Sequence, residues 1–144
     1  MDPIVAIPRK RSYCGDTKEA MDNRKDQLHH LVSNAMVGQA PVLVNQNINA
    51  YASELTKIDE TIQHTLDEQE QAYLLCIEGS VQVNGKTLSK YDACEITGHD
   101  SESTQINIHA LELEHVEESP YKDGVAHILL FTMPLVEGSG RGDL

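Results

Sequence analysis

Residues Gln71 to Leu88 read QAYLLCIEGSVQVNGKTL. Ala72 through Ile77 are apolar without a break, as expected of a strand covered on both faces, and such a strand belongs in the middle of a fold. Gly79 ends it. Val81 and Val83 then alternate with Gln82, and Asn84-Gly85 follows, the dipeptide that best tolerates positive φ at both central positions of a type I′ turn. With Lys86 to Leu88 as the returning strand, the segment predicts a hairpin fed by a buried strand.

The same period continues outward in both directions. Tyr91-Asp92 predicts a turn, residues 93–96 a short strand and 98–103 a polar loop. Residues 104–116 alternate over a long stretch, with Ile106, Ile108 and Ala110 on one face and His109, Leu111 and Leu113 on the other. A polar excursion over 117–124 precedes a last apolar strand, 125–133, which ends at Pro134. Upstream, residues 61–66 and 48–53 alternate, and Val42 and Val44 flank Leu43. Periodicity leaves two readings open for 17–32: a helix carrying Met21, Leu28 and Leu31, or a strand alternating through Leu28, His30 and Val32. Strands of this length, with no helical pattern after residue 40, predict an all-β antiparallel sandwich or barrel.

The chain's 144 residues suit one domain that buries roughly two thirds of the surface an unfolded chain exposes. With a single phenylalanine and no tryptophan, its core must come from Val, Ile, Leu, Ala and Met. Eleven basic against 23 acidic residues, net −12, exclude a nucleic-acid partner and disfavour an anionic membrane surface. No apolar run approaches the ~20 residues of a membrane-spanning helix. Cys14, Cys76 and Cys94 are odd in number, form no CxxC pair and follow no secretory leader, which predicts a reduced, cytoplasmic protein. The basic residues of 9–11 and the Arg141-Gly142-Asp143 tripeptide are expected to be a solvated arm and a frayed tail.

The buried strand ending in Glu-Gly, the Asn-Gly turn and the Tyr91-Asp92-Ala93 corner resemble the central hairpin of a cupin barrel. RKDQLHHLV over 24–32, VNQNINAYASEL over 44–55, INIHA over 106–110 and ILLFTMP over 128–134 narrow the likeness. They resemble the C-terminal cupin of pirin-type bicupins, the group that includes bacterial quercetinase-like proteins. The resemblance implies a single cupin of double-stranded β-helix, jelly-roll-like form. It places an irregular arm at 1–23, the cupin domain at 24–135 and a flexible tail at 136–144, and turns 28–32 into a strand. It also implies that relatives pair two cupins in one chain, with the iron site usually in the other half.

A catalytic cupin directs three imidazoles and a carboxylate at an open metal position. On the spacing the resemblance implies, the carboxylate position falls at Ala72, seven residues before Gly79, and two imidazole positions fall at Thr65 and Asp67, all expected to point inward. None carries the required side chain. A rearranged set would draw on His64, Glu68 or Glu70, and His109, but clustered carboxylates such as those of 67–70 more commonly form a solvated turn. His29 and His30 point to opposite faces of a strand, and His127 reads as a wall or edge histidine. No GxSxG elbow or phosphate-binding glycine loop is present. Cys76 and Cys94 read as core, and Tyr51 and Tyr73 as core-packed rings.

Two functions follow as expectations. One is a cupin with a degenerate metal site and no cofactor, which binds a small molecule or a protein partner, with a second copy or a separate cupin chain as the expected partner. The other is a quercetin 2,3-dioxygenase-like oxidoreductase that holds iron or another divalent metal through the rearranged ligands.

Overall fold

The computed structural model describes residues 18–34, 40–98, 103–117 and 119–135. The arm expected over 1–23 lies outside them except for 18–23. Cys14, the basic residues of 9–11 and the tail from 136 lie outside them altogether.

Helix α1 (Lys18–Arg24) is followed by β1 (His29–Asn34), so the segment with two open readings contains both a helix and a strand. Next come β2 (Val42–Val44), β3 (Asn49–Leu55), β4 (Thr61–Leu66), β5 (Glu70–Glu78), β6 (Ser80–Val83) and β7 (Lys86–Leu88). The described elements end with β8 (Ala93–Thr97), β9 (Thr104–Glu112) and β10 (Ala126–Pro134). They form a six-stranded sheet ordered β2-β1-β3-β10-β5-β8 and a four-stranded sheet ordered β4-β9-β6-β7. Neighbours are antiparallel except β1 and β2, which run parallel.

One core joins the sheets. Tyr51 and Leu55 of β3, Ala72, Leu74 and Cys76 of β5, and Ile128 and Leu130 of β10 meet Leu66 of β4, Val81 and Val83 of β6, and Ile106 and Ile108 of β9. Leu66, Leu74, Ile106, Ile108, Ile128 and Leu130 are fully buried, each contributing about 1.5–3 kcal/mol by leaving water. This all-β, aliphatic core matches the expectation from composition and period.

The predicted hairpin is present as the antiparallel pair β6 and β7. Asn84 and Gly85 take φ of +48° and +87°, the positive pair a type I′ turn requires. Asn84 also docks the turn on β9: its Nδ2 donates to Gln105 O at 3.1 Å, and Asn107 N–H donates to its Oδ1 at 2.8 Å. Gly79, at φ +73°, carries the chain from β5 of the large sheet to β6 of the small one. A Cβ there would lie 2.4 Å from Glu112 O.

Two expectations need correction. β5 is the second strand from the sheet edge, not the middle one, because only β8 lies beyond it. Only one face of β5 is fully buried: Ala72, Leu74 and Cys76 point into the core while Tyr73 on the other face is 41 % exposed and packs no core. An unbroken apolar run looks doubly covered, but the tyrosine carries a polar tip that tolerates water, and its hydroxyl donates to Glu95 at 3.3 Å.

Candidate functional site

Strands β1, β3 and β4 gather a polar and aromatic cluster at one end of the space between the sheets. His30 pairs with Tyr51, which pairs in turn with Leu130, so these three side chains share the inner face of the large sheet. In β4 the inward positions are Ile62, His64 and Leu66, as its alternating burial shows. The rings meet across the gap. His30 and Tyr51 stack with centroids 4.5 Å apart at 17°, and Tyr51 tilts against His64 at 4.8 Å and 56°. Asn49, two residues before Tyr51 on the same face, has its Oδ1 2.9 Å from His30 Nε2. With an acceptor there, the bonded tautomer of His30 carries its proton on Nε2.

Burial sets the charge of this cluster. It pushes His64 below the ordinary histidine value, with Asp67 opposing and His30 reinforcing the shift. It pushes the Tyr51 hydroxyl up, and the carboxylates of Glu70 and Asp67 add to the rise. At neutral pH the set therefore holds a neutral imidazole and a protonated phenol on an aromatic platform. Such groups stack on flat molecules and exchange hydrogen bonds with them without asking for a charge partner.

The metal positions expected from the sequence fall elsewhere. Ala72 is fully buried between Thr132 and Ile96, where a carboxylate would enter the aliphatic core. Thr65 points outward, its hydroxyl donating to Gln105 Oε1 at 3.1 Å, and Asp67 is exposed just past the strand. The inward expectation for both is thus wrong by one residue, which in a strand exchanges the two faces. The miscount arises in the turn after β4, where Gln69 adopts φ +69° and Asp67 N–H donates to Glu70 Oε1 at 3.0 Å. Nothing in the hydrophobic pattern fixes how many residues such a turn consumes.

The rearranged set does not assemble either. His64 faces inward opposite Ile106, whereas His109 lies three positions further along β9, on the face away from Ile106, Ile108 and Ala110. Glu70 is occupied by the turn, and Glu68 is exposed. Among the described residues no group of three His, Cys, Asp or Glu side chains could hold a metal ion. Other candidates serve structure. His127 faces Glu78 at 3.5 Å on central strand β10, so it is a wall histidine and not an edge one. Burial pushes the Cys76 thiol up to about 11 and raises Cys94 as well, as expected of core thiols.

A family model described as the quercetinase C-terminal cupin domain matches residues 31–118, more than half of the sequence. The chain belongs to that cupin family. Among solved structures, this cupin is similar to YhhW from Escherichia coli, with 24 % identity and a TM-score of 0.58 over 77 % of the chain. The same bacterial pirin has also been solved in complex with nickel(II). A quercetin 2,3-dioxygenase from Acinetobacter baumannii matches at 17 % identity and a TM-score of 0.53 over 76 % of the chain. The cupin spans only 40 % of YhhW and 33 % of the dioxygenase. No curated protein sequence matches it significantly. No helix among its described residues is long and apolar enough to cross a membrane. The one part of the site that sequence reasoning missed is the ring cluster, although the alternation Leu28-His30-Val32 already placed His30 on the face of the core.

Proposed function

We propose that this cupin binds a small, flat, weakly polar molecule at the end of the sandwich where His30, Tyr51 and His64 meet, without metal-dependent oxidation. The observation that carries this reading is the contact of Tyr51 with one imidazole from each sheet, stacked on His30 and tilted against His64. A half-buried aromatic platform favours ring stacking, worth about 0.5–1.5 kcal/mol per contact beyond area burial.

Quercetin is the probe, because a structural neighbour is a quercetin 2,3-dioxygenase. Calorimetric titration of the purified chain is expected to show binding that weakens about tenfold in Tyr51→Ala, with no oxygen uptake after iron(II) is added. Stoichiometric bound iron, nickel or zinc that is lost in His64→Ala and His109→Ala, together with oxygen uptake, would establish the dioxygenase instead. The exposed Val42 and Leu43 on edge strand β2 support a second copy or a separate cupin chain as the partner. Light scattering that shows only monomer would remove the second copy. The free, buried thiols of Cys76 and the half-buried Cys94 support a reducing cytoplasm as the location.

A further inference from the structure

A cleft lies outside the sandwich, lined by none of the ring-cluster residues. Its volume is about 340 Å³, within the size of small-molecule sites. Lys25 enters it from the link between α1 and β1, Lys57 from the loop after β3, and Tyr121, Lys122 and Asp123 from the excursion between β9 and β10. Three ammonium groups against one carboxylate give a local balance of +3 − 1 = +2, in a chain whose net charge is −12.

The walls are tied together in a way that occupies neighbouring carboxylates. Tyr121 Oη donates to Glu54 Oε1 at 3.2 Å, and the same oxygen accepts Arg24 Nε at 2.9 Å. Asp26 accepts both the backbone N–H and the hydroxyl of Thr56, each at 2.7 Å. Glu60 meets Lys57 at 3.3 Å in an exposed pair of little strength. Lys25 and Lys122 make no ion pair among the described residues, and Lys25 Nζ stands 6.0 Å from the Tyr121 ring centroid. The same is true of Lys86, but it lies on the β7 hairpin away from any such gathering. Two of the three unpaired described lysines thus line one open cleft.

We infer that this cleft is a binding site for a small divalent oxyanion, a phosphorylated or dicarboxylic metabolite, held by Lys25, Lys57 and Lys122 beside Tyr121. The cleft is too small for a macromolecule, and the repulsion of the acidic surface elsewhere directs a dianion to this patch. The inference goes beyond the proposed function and uses none of its residues.

The test is NMR titration of the full chain at low ionic strength with inorganic phosphate and, separately, with succinate. At least one is expected to shift amide signals of 25, 57 and 121–124, with an affinity that falls as sodium chloride is raised. The double substitution Lys25→Gln/Lys122→Gln should weaken that binding about tenfold, and Lys86→Gln should leave it unchanged. Phosphate alone binding would assign a phosphorylated ligand, and succinate alone a dicarboxylate. Absence of a response to both up to about 10 mM, or equal weakening in Lys86→Gln, would overturn the site. Quercetin binding and the Tyr51→Ala variant report on the ring cluster separately.

Discussion

Gly79 is the corner at which the two sheets become one molecule, and replacing it with alanine tests that role against a control in the same hairpin. Both Gly79 and Gly85 have positive φ, +73° and +87°, so Gly→Ala at either incurs the left-handed backbone penalty, about 1–2 kcal/mol. They differ in space. A Cβ at Gly85 meets nothing within 4 Å, whereas at Gly79 it lies 2.4 Å from Glu112 O and 3.0 Å from Val125 O. Both are backbone atoms of strand ends that cannot swing aside, so relieving the overlap displaces β9 or the entry to β10, at a cost on the order of 1–3 kcal/mol. Gly79→Ala should therefore cost about 2–5 kcal/mol and Gly85→Ala about 1–2, against a typical total of about 5–15. With a urea slope of about 1–3 kcal/mol per molar, the gap is a clear separation of midpoints. The assay is urea unfolding followed by circular dichroism, with slopes compared to confirm two-state behaviour. Equal midpoints for the two variants would refute the steric argument, and a Gly79→Ala protein as stable as the parent would refute the crossing itself.

Other perturbations follow the same logic. Ala72→Glu should destabilise by several kcal/mol, because an unpaired carboxylate in a fully buried site is costly, and calorimetry with iron(II) should show no gained binding. Burial lowers the His64 value below 6.5, so the unfolded chain binds the proton more readily. This contribution to stability is full above 6.5 and is lost as pH falls below it, and His64→Phe should flatten that part of a melting-temperature profile relative to the parent. Arg24→Ala leaves Glu54, whose side chain is 15 % exposed, without its 2.9 Å partner, and should cost about 1–3 kcal/mol in urea unfolding.

Much of the fold was legible because hairpins and alternation are local. Asn84-Gly85 needs only its own backbone angles, and Ile106, Ile108 and Ala110 announce their face by period two. The site was less legible because it depends on how distant strands align. The alternation of β4 was correctly read, yet assigning Thr65 and not His64 to the inner face required counting through the turn at 67–70, whose geometry rests on Gln69 and one side-chain bond. Tyr51 was expected in the core and is half-buried at its edge, stacked on His30, a contact that arises only when β1 pairs with β3. Tyr73 has the same residue type and an exposed ring, since its neighbours across the strands, Phe131 and Glu95, lie on the outer face.

The position of β10 has a consequence for how the protein is made. This last described strand lies between β3 and β5, pairing with seven residues of the former and eight of the latter. While the ribosome is still producing residues before 126, the two halves of the large sheet have no common neighbour, and both present bare strand edges to the cell. Completion must wait for residue 134 to emerge, so the nascent chain passes through a stage open to chaperones and to self-association. A truncation that removes 126–134 would split the large sheet into β2-β1-β3 and β5-β8 and take Ile128 and Leu130 out of the core.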